Sequence, residues 1–259
     1  MTNKSRLTLS QLKLALNQVT SRTDAILVAT EQDERQGAQK LVKQTLSRLE
    51  KVAQRRAFFE ETVQHDIQLT QQGQRYVIGV DEVGRGPLAG PVVVAAVILP
   101  LDQLEDVGFD DSKRLTLAQR EQVSDWVKEH AVKYQIVEKD AAFIDTHNIL
   151  EATRLAMKEA VLALEEPTAM VLVDALTLDI PHDQLGIIKG DQRSVSIQAA
   201  SSLAKVYRDE LMIKWSQTYP GYDFEHNMGY GTQHHLDGLK RYGATPIHRR
   251  SFEPIKSQY

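Results

Sequence analysis

The chain has 259 residues, of which 42% are hydrophobic and 25% charged, so it can bury a real core as one large domain or as a domain with an appendage. A net charge of −4 excludes a simple nucleic-acid binder that works by basic excess, and the lack of cysteine excludes disulfides and thiolate metal sites, leaving oxygen and imidazole as ligands for any metal. No uninterrupted apolar stretch of signal or membrane-span length follows Met1 to Arg6, so a cytoplasmic location without membrane contact is expected.

Residues 1 to 70 differ in character from the rest and form a helical N-terminal extension. Thr8 with Gln11 fits a capping box, and Leu9, Leu12, Leu16 and Val19 recur at helical spacing behind it. A second run from Asp33 sets Ala38, Leu41, Val42, Leu49, Val52 and Ala53 on one side, which predicts two or three amphipathic helices. Residues 1–74 hold 11 Lys and Arg against 8 Asp and Glu, net +3, which leaves −7 on the remainder. Two readings of the extension stay open: an arm packed on its own body, or a module that grips a duplex or a partner. No strand pattern precedes Tyr76, and Gln71-Gln72-Gly73-Gln74 is the expected hinge to a body spanning 71 to 259.

The body alternates strands and helices. Tyr76 to Val80 and Val92 to Leu99 are apolar, β-branched runs separated by Gly-Pro turns, which predicts neighbouring antiparallel strands. A helix is expected over Thr116 to His130, a short strand near Tyr134 to Glu138, and one long helix over Ala141 to Leu164. Ala169 to Val173 reads as a buried strand carrying Asp174 at its carboxyl end, where α/β sheets bind ligands. A further helix runs from about Ser196 through Val206. The tail from Tyr219 predicts loops plus a short helix near His235 to Tyr242.

Asp81-Glu82-Val83-Gly84-Arg85-Gly86-Pro87 carries the most chemistry. Adjacent carboxylates at a strand end point to opposite faces, so one faces a site directly and the other reaches it through its backbone carbonyl or through a kink of the kind that Gly84 and Gly86 supply. Asp174 and Asp191 sit where a site would want two more. Four carboxylates converging on one point repel unless cations lie between them, and hard divalent ions suit such a cluster, the arrangement of two-metal phosphoryl chemistry. The histidines 147, 226, 234, 235 and 248 match no zinc spacing and are expected at the surface or in hydrogen bonds.

DEVGRGPLAGPVVVAAVIL (81 to 99), DSK (111 to 113), VDAL (173 to 176), KGD (189 to 191), SIQAASSLAKVYRD (196 to 209), GYGT (229 to 232) and HRRSF (248 to 252) together resemble ribonuclease HII, the bacterial type 2 ribonuclease H. The resemblance covers residues 76 to about 254 in order. It implies an α/β, ribonuclease-H-like fold, a mixed sheet flanked by helices. It further implies an endonuclease for the RNA strand of RNA/DNA hybrids and for single ribonucleotides in duplex DNA, serving ribonucleotide excision and RNA-primer removal. Asp81, Glu82, Asp174 and Asp191 match the family's metal-binding quartet, with Mg2+ or Mn2+ as cofactor and no organic one. In that scheme a metal-bound water attacks in line on the 5' side of a ribonucleotide and leaves 3'-hydroxyl and 5'-phosphate ends. The backbone of Gly84, Arg85 and Gly86 would read the 2'-hydroxyl, and Tyr230 would pack on the following sugar and favour an RNA-to-DNA junction. Lys113 and Lys205 are the expected phosphate contacts, with Arg249 and Arg250 as further candidates. Met228 stands where many relatives have a basic residue, so one backbone contact is expected to be lost. A monomer is expected.

Three rivals are weaker. Ribonuclease HIII typically has Glu at the fourth carboxylate and a β-containing N-terminal domain, against Asp191 and a helical extension here. A hybrid-binding protein without catalysis has no reason to keep all four carboxylates. A nucleotide phosphate loop needs the Gly-Lys-Ser/Thr ending that GRGPLAG lacks.

Overall fold

The structure, a computed structural model, describes residues 7–70 and 74–258. The expected hinge therefore lies, but for Gln74, outside the described residues. The chain divides into two compact units, 1–60 and 61–259. No described helix is long and apolar enough to cross a membrane.

The first unit is helical. Helix α1 (Leu9–Asn17) begins in the Thr8–Gln11 capping box, α2 (Ala25–Glu31) is N-capped by Asp24, and α3 (Gln36–Leu69) starts in this unit and runs into the second. Leu16, Val19, Leu27, Val42 and Leu49 form its core. Arg48 Nη2 donates to the carbonyls of Leu16 at 3.0 Å and Val19 at 2.7 Å, a cation satisfying the open end of α1.

The second unit is built on a mixed sheet of five strands in the order β3-β2-β1-β4-β5, comprising β1 (Val77–Val83), β2 (Val92–Ile98), β3 (Lys133–Lys139), β4 (Met170–Asp174) and β5 (Gln184–Ile187). The β1/β2 and β2/β3 pairs are antiparallel; β1/β4 and β4/β5 are parallel. Alternation along β1 splits its side chains between two layers. Ile78 and Val80 pack with Ala156, Met157 and Ala160 of α6 (Ile149–Leu162), while Val77 joins Leu172 and Ile197 on the face covered by α7 (Val195–Thr218). Helix α4 (Leu117–His130) also packs on α7. The chain then closes with α8 (Phe224–Asn227), α9 (Gln233–Tyr242) and α10 (Ile255–Gln258).

Two expectations need correction. The helix expected over 141–164 is two: α5 (Ala141–His147) stops at Asn148, whose φ of 64° breaks the helix and whose side chain caps α6 by accepting from Glu151 N. Strand β5 was not foreseen, since it is four residues long with two of them exposed.

The last turns of α3 contribute an unexpected anchor. Asp66 is buried, and its Oδ2 accepts from Ser194 Oγ and Ser196 N, both at 2.9 Å, at the start of α7. Ser194 in turn caps Ile197 N. Asp66→Ala strands these donors and is expected to cost about 2 kcal/mol in denaturant-induced unfolding. An unchanged midpoint would show the anchor to be dispensable.

Candidate active site

Register places the first carboxylates. Val80 of β1 pairs with Val173 of β4, so Asp81 and Asp174 are the next residues on adjacent parallel strands. Asp81 belongs to the β1 face that packs on α7, and Glu82 to the other; both reach one cleft because the strand ends in the Gly84 turn. Asp174 Oδ1 accepts from Gly190 N at 2.8 Å, which draws in the turn that carries Asp191.

The cleft, about 440 Å³, is lined by all four carboxylates. Gly84, Arg85 and Gly86 form another part of its wall, with Lys113, Lys205 and Tyr230. Sequence reasoning therefore assembled a set of residues that the fold brings together. It missed Ser112 and Ser201, whose hydroxyls meet at 2.9 Å on the wall, and Asp111, which accepts from Lys113 N at 2.9 Å and from Gln192 Nε2 at 3.3 Å and so ties the lysine's turn to that of Asp191. Polar residues recurring along an otherwise buried helix were the available signal for Ser201.

The carboxylates ring the cleft rather than meet at one point. Among the described residues, only Asp223, Glu225 and His226 bring three ligand atoms within 4.8 Å of one another, and these do not line the cleft. Two cations pair with members of the quartet: Arg85 Nη1 lies 3.2 Å from Glu82 Oε1, and Lys113 Nζ lies 3.2 Å from Asp191 Oδ2. Burial, and then the charge of Glu82, push the Asp81 carboxyl well above the usual carboxylate range, while a hydrogen bond from Ser201 acts the other way. Burial also raises Glu82, against the pull of Arg85, and raises Asp174, against the Gly190 amide. Burial lowers Lys113, but its hydrogen bond to Asp191 and the surrounding carboxylates leave it raised overall.

This donor set fits divalent cations. Every ligand is a hard oxygen, and Glu82 Oε2 is buried without a hydrogen-bond partner, an orphan that a cation would satisfy.

One sequence reading changes. Arg249 is not a phosphate contact: it is buried, and its guanidinium nitrogens donate to the carbonyls of Gly84, Arg85 and Gly90. Gly84 is glycine for an internal reason as well, since a Cβ there would lie 2.2 Å from Arg208 Nε, at a φ of +92°. His235 and His248 take the hydrogen-bonding role expected of them as buried partners, Nε2 to Nε2 at 2.9 Å, and burial followed by the charge of His235 lowers His248 to about 4.

A family model described as Ribonuclease HII matches residues 78–255, and one described as Ribonuclease HII N-terminal domain matches residues 8–70. The chain is 50% identical over 250 residues to the Ribonuclease HII of Listeria monocytogenes serotype 4b (strain F2365), covering 96% of this chain and 95% of that protein. It is 47% identical over 245 residues to that of Enterococcus faecalis (strain ATCC 700802 / V583), covering 95% and 96%. Among solved structures, ribonuclease H2 from Pyrococcus horikoshii OT3 is similar at a TM-score of 0.55 and 26% identity, over 71% of this chain and 96% of that one. The RNase HII of Archaeoglobus fulgidus, solved in complex with PCNA, is similar at 0.59 and 22%, over 69% and 96%, a likeness of fold.

Proposed function

The chain belongs to the ribonuclease HII family and is an endoribonuclease of the ribonuclease H type, and from that premise we propose that it cuts the RNA strand of RNA/DNA hybrids and the 5' side of single ribonucleotides embedded in duplex DNA. The products carry 3'-hydroxyl and 5'-phosphate ends, which suits ribonucleotide excision and RNA-primer removal. One observation carries this reading: a carboxylate quartet, a glycine-rich turn and a half-exposed tyrosine line the same cleft.

Two divalent ions, Mg2+ or Mn2+, held among Asp81, Glu82, Asp174 and Asp191 would lower the pKa of the attacking water and stabilise charge on the leaving oxygen. The remaining work falls to the chain. Lys113, whose side chain is 81% exposed, can exchange Asp191 for a phosphate oxygen of the substrate strand. Lys205 is held at 2.7 Å by Asp209 and presents its charge to the cleft wall. The Gly84-Arg85-Gly86 backbone reads the 2'-hydroxyl, the one group that separates ribose from deoxyribose there. Tyr230 lays its ring against the next sugar, and a second hydroxyl on that sugar would crowd it.

The test is an end-labelled DNA duplex with one ribonucleotide, incubated with Mg2+ or with EDTA beside an all-DNA control. A cut on the 5' side of the ribonucleotide, only with Mg2+ and absent from the control, is the expected result. Cutting of a long RNA/DNA hybrid without that cut would overturn the junction reading of Tyr230, and no cutting of either would overturn the nuclease assignment.

A further inference from the structure

Two arginines lie completely buried beneath the wall of the cleft, and among the described residues neither forms an ion pair. Arg249 donates to the carbonyls of Gly84, Arg85 (2.9 Å) and Gly90 (2.9 Å); Arg208 donates to those of Pro91 (3.0 Å), Met228 (2.9 Å) and Ala89 (3.1 Å). Burial lowers both guanidinium pKa values, Arg208 to about 10 and Arg249, next to that charge, to about 9, so both stay charged at neutral pH. Two like charges without a carboxylate are costly to bury. Six carbonyl dipoles aimed at them offset that cost, and a forked guanidinium is the side chain able to gather several carbonyls at once.

The consequence lies on the far side of those carbonyls. In a trans peptide the N–H points opposite to the C=O. When Arg249 pulls the Gly84 and Arg85 carbonyls inward, it turns the N–H groups of the next residues, Arg85 and Gly86, away from itself, on a loop whose other side is the cleft. Successive N–H groups facing one way make a cradle for an oxygen acceptor. Arg208 fixes the same unit from the other end, since Met228 leads into Gly229, whose carbonyl accepts from Leu88 N at 2.8 Å and precedes Tyr230.

We infer that Arg249, braced by Arg208, is a positioning residue for sugar recognition: it aims the Arg85 and Gly86 amides into the cleft, where they donate to the 2'-oxygen of the ribonucleotide. This rests on the proposed reading of the glycine-arginine-glycine turn. It assigns the selectivity to two amides and the selectivity of those amides to a side chain that never touches substrate.

The test uses the full chain with Ca2+, whose looser coordination than Mg2+ allows binding to be followed separately from cutting. Affinity is measured for a duplex with one ribonucleotide and for the all-DNA duplex. The wild type is expected to prefer the former, and Arg249→Lys, which keeps the charge and loses the fork, to reduce that preference by about tenfold while leaving affinity for all-DNA duplex unchanged. An equal loss on both duplexes would mark Arg249 as merely structural, and an undiminished preference would also overturn the inference. No preference in the wild type would remove the underlying reading instead. Should the variant not fold, amide NMR of the wild type decides: the Arg85 and Gly86 resonances shift with the ribonucleotide duplex and not with the all-DNA duplex, or the inference fails.

Discussion

Asp81→Asn is expected to abolish Mg2+-dependent cleavage, by about 10³-fold or more, and at the same time to raise the melting temperature of the ion-free protein at pH 8. The activity loss exceeds the roughly 10–100-fold that outer-shell partners of a metal cost, because Asp81 is assigned directly to the ions. The stability gain follows from linkage. Asp81 is 6% exposed, and burial and the charge of Glu82 raise its pKa in the folded state. A carboxyl raised on folding binds more protons folded than unfolded, so its stabilisation is fully present below the unfolded value of about 4 and is lost as pH rises through the folded one. At pH 8 the ion-free wild type has lost it, whereas asparagine has the same shape and no charge to bury. Thermal melts in EDTA at pH 5 and pH 8 check the sign, since the advantage of the variant should grow with pH. Full Mg2+-dependent cleavage by the variant would refute the metal assignment.

The site was legible where chemistry and local pattern coincide. An apolar run ending in Asp81-Glu82 and a glycine turn reads as a strand end, and Asp174 reads the same way on the neighbouring strand; the Val80–Val173 pairing that makes them neighbours belongs to the fold. The capping box at Thr8 is local and gives the helix start directly. The rest depended on distant contacts. Arg249 reads as a surface cation until six backbone carbonyls, some more than 150 residues away, are seen to surround the arginine pair. Asp66, in a polar helix, gives no hint that its partners lie 128 and 130 residues on. The break at Asn148 was hidden because apolar periodicity continues on both sides of it.

Gly79→Ala is expected to be the most damaging addition of a single methyl group. In the sequence Gly79 reads only as a weak residue within an apolar strand. In the fold it is where β1 and α7 touch backbone to backbone: a Cβ would lie 2.1 Å from Ser196 C, 2.2 Å from Ser196 O and 2.5 Å from Ile197 N. No rotamer relieves a clash with main chain, so the start of α7 must shift, and the cost reaches or passes the upper end of ordinary overpacking, about 3 kcal/mol, or roughly 6–12 °C in melting temperature. The same shift disturbs the Asp66 anchor on Ser194 and Ser196, and with it the turn that delivers Asp191. Gly79→Ala should therefore lose activity even at 20 °C, where the population remains folded, with kcat falling more than KM because the proposed sugar contact at Tyr230 lies on another segment. A variant as stable and active as wild type would mean that α7 can move away without consequence. Asp81→Asn and Gly79→Ala sit two residues apart on one face of one strand, and they should move stability in opposite directions while both remove activity.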